Sequence, residues 1–248
     1  MTMSVPSVSM ASAATHLVPP GKPAEFQDPL AILNAISDGL SPSWWLNEVF
    51  AATIGFNPIQ EVTQWVIGDW ESFARCAKAY ESLGKCLNSV GDSLKGGLGT
   101  LDSGWQGNAA DAAHVYFQDL AKAIGDKQQD LQELHDEYMK AARGIWEFAK
   151  GAGDLIKEIL DMAIIAAVEI AAGAALSWTG VGMAIAWALA ALECVAIVKA
   201  WASVVGLINK TQMIVYMAHG FGMRVAGTLG NPTSIPFPET TYSHPAVK

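Results

Sequence analysis

Charge is scarce in this sequence: Asp, Glu, Lys and Arg make up 16% of its 248 residues, and the balance is acidic, with a net charge of -9. The fifteen Lys and Arg are scattered singly. Without a basic stripe the chain lacks the means to track a phosphate backbone, so nucleic acid is not an expected partner. Anionic lipid finds no polybasic patch either. Cysteine is rare and odd in number: Cys76, Cys86 and Cys194. The first two are ten residues apart on one helical pattern, about 15 Å of rise, too far for a disulfide, so reduced, metal-free thiols are expected. The five histidines, His16, His114, His135, His219 and His244, form no His-x-x-x-His spacing, and neither Cys-x-x-Cys nor a Gly-x-Ser-x-Gly elbow occurs. His135-Asp136-Glu137 are consecutive on a helical pattern and point in different directions, which fits a solvated face. Gly96-Gly97-Leu98-Gly99 and Gly180-Val181-Gly182 follow no strand and are read as turn glycines rather than phosphate cradles. The expectation is a protein without catalytic residues, cofactor or metal.

What the chain has in quantity is apolar residues, 51% of the total, enough for a sizeable core. Phe73, Ala77, Tyr80, Leu83 or Gly84, Leu87, Val90 and Leu94 recur at steps of three and four and mark one helical stripe. A second stripe runs through Leu131, Leu134, Tyr138, Ala141, Ile145, Phe148, Ala152, Leu155, Ile159 and Met162. Between them the run Leu101-Asp102-Ser103-Gly104-Trp105-Gln106-Gly107-Asn108 interrupts the pattern. Its glycines can take conformations closed to other residues, and Asn108 is a good N-cap. The spacing predicts a helical hairpin turning at Trp105-Gln106-Gly107, with the Trp105 ring packed back across both helix ends. Leu131, Leu134, Tyr138 and Ile145 would be its intramolecular seam or a partner face.

A helix of this length, a Trp-x-Gly turn and a second helix opening with small residues resemble the WxG family of small helical proteins exported by the type VII (ESX) systems of actinobacteria and firmicutes. The resemblance covers roughly residues 57 to 150 and rests on Trp105 and Gly107 with their helical flanks. It implies a secreted protein that leaves by a leaderless route, pairing with itself or a WxG-like helical partner and engaging the export machinery. Family members usually form helical-hairpin dimers, and one partner usually carries a Tyr-x-x-x-Asp/Glu export signal just after the second helix. Here Tyr138 is followed four residues on by Ala142, Tyr216 by Gly220 and Tyr242 by Ala246, so no tyrosine completes it. Either a partner contributes the signal, or it is degenerate, or the protein keeps the hairpin without being exported and is cytoplasmic or membrane-associated.

The flanking regions are distinct. Residues 1–27 are rich in Ser, Ala and Pro with no charge before Lys22, and read as a disordered arm rather than a Sec signal peptide. Residues 28–56 carry two short apolar helices, around Leu30 to Ile36 and Trp44 to Phe50, that would cap the long hairpin of residues 57–160. Residues 161–229 form an apolar hairpin, and 230–248 a tail containing Pro232, Pro236, Pro238 and Pro245. Within that apolar region Met162 to Leu176 is too short for a membrane span of about 20 residues, and Val181 to Val198 is borderline. Each carries a mid-segment carboxylate, Glu169 and Glu193. An acidic residue at the centre of a span costs roughly 2.5 to 3.5 kcal/mol against about 0.3 to 0.6 gained per Leu, Ile, Phe or Val, so constitutive insertion is near neutral.

Two readings of that region stand open. In one the stretches form a buried helical hairpin, with the carboxylates reaching the surface or a partner such as Lys199. In the other it is a pH-sensitive membrane hairpin, because a neutral acid is cheaper to bury than a carboxylate, and Trp178, Trp187 and Trp201 would serve as interfacial anchors. The fold expected from the whole is all-α: an elongated antiparallel helical bundle built on the Trp-x-Gly hairpin, closed by the Ala-rich apolar hairpin. The expected function is that of a WxG-like secretion substrate or secretion-associated protein, with a membrane-active or pore-forming effector, inserting residues 162–208, as the alternative.

Overall fold

A computed structural model describes residues 11–21, 26, 70–175 and 180–230. Most of the N-terminal arm, the capping helices of 28–56, Trp178 and the proline-containing tail lie outside the described residues. Those described form a single turn α1 (Ala11–Ala14) and three long helices, α2 (Trp70–Asp102), α3 (Asn108–Ala175) and α4 (Val181–Gly230), with no strand among them. The protein is all-α, built from helical hairpins. Its eleven prolines all lie at or before Pro58 or from Pro232 onward. Nothing between these points removes a backbone donor or forces a kink, so α3 can run 68 residues and α4 50. α3 passes without a break through residue 160, where the sequence pattern places the boundary between the two hairpins.

The chain forms two compact units, and α3 and α4 contribute to both. The first takes in Ser72–Lys140 and the chain from Met217. In it the buried positions of α2 are Ala74, Ala77, Gly84, Gly91 and Leu98, the last four spaced one every seven residues along one row. Gly84 resolves the sequence's alternative, for Leu83 faces solvent. Two glycines in the row bring the backbones close. A Cβ on Gly84 would stand 3.7 Å from the Leu131 Cβ, and one on Gly91 would stand 3.7 Å from the Ala121 carbonyl. Leu131, Leu134 and Val225 form the buried centre, flanked by Tyr80, Leu87, Tyr138, Phe221 and Leu229. Gly96, Gly97 and Gly99 lie inside α2 rather than in a turn, because the helix continues to Asp102.

Lys127 is buried in this unit, and its Nζ donates to the Thr228 carbonyl at 2.7 Å, with Asp130 at 3.9 Å. Thr228 belongs to the last turn of α4, which has no basic residue of its own. A lysine from α3 therefore supplies the positive charge and the donor that the α4 carbonyl end lacks. On the outside of α2, Glu81 accepts from Lys85 at 2.6 Å and Lys78 at 3.1 Å. The Lys85 hydrogen bond, helped by Lys78, lowers its carboxyl to about 2.

The second unit holds Ala141–Tyr216 together with Phe26 and Trp70. Ala149, Ala152, Ile156, Ile159 and Ala163 of α3 meet Ile197, Ala200 and Val204 of α4 in its core. Both sets advance by threes and fours, so each helix offers one narrow seam to the other. Small residues keep the axes close: Gly151 would meet the Leu207 side chain at 3.4 Å if it carried a Cβ. At Gly173 a Cβ would run into the Cβ of Ala186. Phe26 lies between Trp70 and Trp146, with ring centroids 5.3 and 6.0 Å away.

Candidate functional site

The connection between α2 and α3 is closed by its own backbone. The amides of Gly104 and Trp105 donate to the Leu101 carbonyl at 3.0 and 2.9 Å, and Ser103 Oγ donates to the Thr100 carbonyl at 2.8 Å. Gly107 then takes φ +106°, a left-handed conformation that redirects the chain. Its carbonyl accepts from Ala110 at 2.8 Å and Asp111 at 3.1 Å, which makes Gly107, not Asn108, the cap of α3. The Trp105 side chain is not buried against the helix ends as the sequence predicts. It is 40% exposed, because every residue from Leu101 to Asn108 is exposed and the turn offers no apolar shelf. Accordingly, Trp105→Ala is expected to change unfolding free energy by less than about 0.5 kcal/mol. Gly107→Ala should cost about 1–2 kcal/mol, since a Cβ opposes its positive φ. Urea unfolding of the two variants checks both, and the reverse order would place the ring, rather than the glycine, at the centre of the turn.

The stripe expected to serve as intramolecular seam or partner face packs inside the protein. Leu131 and Leu134 are buried in the first unit, and Ile145 is buried in the second. Tyr138 is half-buried, with its ring 5.4 Å from those of Phe73 and Tyr80. Burial first, then the neighbouring Tyr138, raises the Tyr80 phenol above its usual range. A Cβ on Gly222 would stand 2.7 Å from the Tyr138 Oη, so a side chain there would displace the hydroxyl. His135 departs from the solvated-face reading: it is half-buried, and its Nδ1–H donates to the Ala77 carbonyl of α2 at 2.9 Å. An open apolar groove that the periodicity did not single out lies in the first unit. It has a volume of about 260 Å³ and is lined by Val90, Leu94, Gly97, Leu98, Leu101 and Phe117.

The apolar hairpin in the second unit buries its seam and little else. Ala163, Ala166 and Gly173 of α3 and Ala186, Ala190 and Ile197 of α4 are buried. The larger side chains face out: Ile164, Ile165, Val168 and Ile170 on α3, and Ile185, Trp187, Leu189, Leu192, Val195 and Val198 on α4. Trp187 is 63% exposed and Leu192 67%. Of the two readings, the buried hairpin is met only along its seam, for a physical reason. Two helices bury only the strip along which they touch, and the described residues hold no third element against this pair. α4 is also long and apolar enough to cross a membrane, with a mean hydropathy of 2.2 in its most apolar window, only 17% of which is buried. Glu169 and Glu193 are half-buried, and neither pairs with Lys199. Glu169 Oε2 is buried without a hydrogen-bond partner.

Among the described residues, no three His, Cys, Asp or Glu side chains converge as metal ligands, and all three cysteines are free thiols. No family model, curated protein or solved structure matches the chain. The arrangement thus offers three features for interaction: an exposed tryptophan at a helical turn, an apolar groove, and an uncovered apolar hairpin.

Proposed function

We propose that the protein is a non-enzymatic WxG-like type VII secretion substrate or secretion-associated protein that acts through helix packing with itself or a WxG-like helical partner. The observation that carries this reading is the turn itself. Helices of 33 and 68 residues reverse across Ser103–Gly107, Gly107 holds the positive φ, and Trp105 is 40% exposed. A large apolar side chain left partly exposed at a turn offers surface to another protein. The groove that includes Leu101 supplies apolar surface for a helix of that partner. Export is tested by deleting the FtsK-like ATPase of the system and assaying the culture medium. The protein should disappear from the medium, and its persistence there would sink the secretion reading.

A second reading is favoured by the uncovered apolar hairpin: a membrane-active or pore-forming effector that inserts within residues 162–208. It is compatible with the first, since an exported helical protein can act on a bilayer. Vesicle binding is the measurement that separates a purely protein-directed role from this one.

A further inference from the structure

We infer that α3 from Met162 to Ala175 and α4 from Val181 to Val198 enter the hydrocarbon of a lipid bilayer together, as a closed hairpin with its seam intact, to a depth fixed by Asp161 and Lys199. The inference rests on the membrane-active reading and specifies which unit enters, how far, and with which residues facing lipid.

The first support is the distribution of polarity around each helix. At 3.6 residues per turn, the exposed apolar residues of α4 between Val181 and Val198 cover about two thirds of its circumference. The remaining third carries Ala186, Ala190, Glu193 and Ile197, the row that meets α3. On α3 the only ionisable residue between Met162 and Ala175 is Glu169, which is half-buried. No charged side chain stands on the outward face of either segment. A surface for a protein partner has an apolar centre and a polar rim. A surface apolar on every side but the seam is suited to lipid.

The second support is the level at which charge returns. Gly173 lies against Ala186, which fixes the register of the two helices. Twelve residues back from Gly173 is Asp161, and thirteen beyond Ala186 is Lys199, and both are exposed. The two helices therefore become charged at the same height, to within about two residues or about 3 Å. Lys157 and Glu158 are exposed just outside that level. From Lys199 to the start of α4 the rise is about 27 Å, close to the hydrocarbon thickness of about 30 Å. A shared boundary at this spacing is what a bilayer interface imposes.

The same register puts Glu169 and Glu193 about one turn apart in depth. Glu193 occupies the α4 seam row, and Glu169 stands between the buried Ala166 and Gly173 on α3. Insertion with the seam closed keeps both carboxyls between the helices rather than against acyl chains, and so reduces what a membrane span with an acidic centre would otherwise cost. With a net charge of -9, the hairpin is expected to need no anionic headgroups.

The test uses the full chain with Cys76, Cys86 and Cys194 replaced by serine and one new cysteine carrying an environment-sensitive fluorophore. Probes sit at Leu189, Leu192 and Val195 within the segment, and at Lys199 and Met213 outside it. Phosphatidylcholine vesicles are used at pH 7 and at pH 5, with flotation to score binding. The expected result is flotation at one or both pH values, a blue shift at the three inner positions and none at Met213, with quenching by lipid-borne quenchers deepest at Leu189 and shallowest at Lys199. A further cysteine in place of Gly180 should become reactive to a thiol reagent trapped inside the vesicles. Absence of flotation at both pH values overturns the membrane-active reading itself. Flotation with uniform shallow quenching, or with Gly180→Cys unreactive to the trapped reagent, keeps that reading and overturns insertion as a spanning hairpin.

Discussion

Adding a single methyl group at Gly173 is expected to destabilise the protein by about 2 kcal/mol, whereas the same change at Gly144 should be close to neutral. Both glycines lie on α3 in the second unit and both face α4, so the contrast depends on what each new Cβ meets. At Gly173 it meets the Cβ of Ala186, with the Gly182 carbonyl 3.8 Å away. Neither Cβ can rotate, because each is fixed by its backbone, and the overlap is relieved only if the helices separate. Overpacking of this kind costs typically about 1–3 kcal/mol, and separation also loosens the seam at Ala166 and Ala190. At Gly144 the new Cβ meets the Cδ1 of Ile214 at 2.7 Å, the far end of a side chain that can change rotamer. That adjustment is offset by the roughly 1 kcal/mol by which alanine exceeds glycine in a helix interior. In thermal unfolding, Gly173→Ala should lower Tm by about 4–8 °C and Gly144→Ala by little or nothing. Equal shifts would mean that the hairpin axes are not held together at Gly173.

The difference between these glycines could not be read from the sequence, although the helices that carry them could. Apolar spacing is a local property, and it sets out the α3 stripe from Leu131 to Met162 almost residue for residue. All ten of its members are buried or half-buried. The turn was equally legible, because a glycine pair breaks helical propensity wherever the chain is cut. The position of the Trp105 ring was not. Whether an aromatic in a turn is covered depends on how large the neighbouring side chains are and where they point, and here the helix ends around it are exposed. Nor could the sequence locate the first carbonyl of α3, which follows from the φ of Gly107 rather than from the capping preference of Asn108. The apolar hairpin is the largest case. Its composition states how much surface is apolar but not how many helices are present to cover it. Beyond Met162, α3 and α4 bury a row of Ala and Gly with Ile197, and Ile165, Val168, Ile185, Trp187, Leu189 and Leu192 are left outside.

Placing arginine at Leu189 and Leu192 should abolish vesicle binding while leaving the soluble fold intact. Leu189 lies near the middle of the Val181 to Val198 segment and Leu192 nearer its base, and both are exposed large apolar residues. Substitution at such positions usually changes stability by no more than about 0.5 kcal/mol, so circular dichroism and Tm should be nearly unchanged. In a bilayer the balance differs sharply. Arginine near the centre of a span costs about 2.5–3.5 kcal/mol, and the lost leucine forfeits a further 0.3–0.6 or so. About 3 kcal/mol per site is on the order of a hundredfold in partitioning, and two sites together about ten-thousandfold if they act independently. The companion variant Met213→Arg introduces the same charge on the same helix at an exposed residue beyond Lys199, and it should bind vesicles as the parent does. A protein partner docked on one side of the hairpin would be expected to respond unequally to arginines placed around its circumference. Lipid surrounds the whole outward face, so arginine at Ile165 or Val168 of α3 should be as damaging as arginine on α4. Loss of binding from α4 variants alone would identify a one-sided partner, and loss from both helices is the outcome that a bilayer requires.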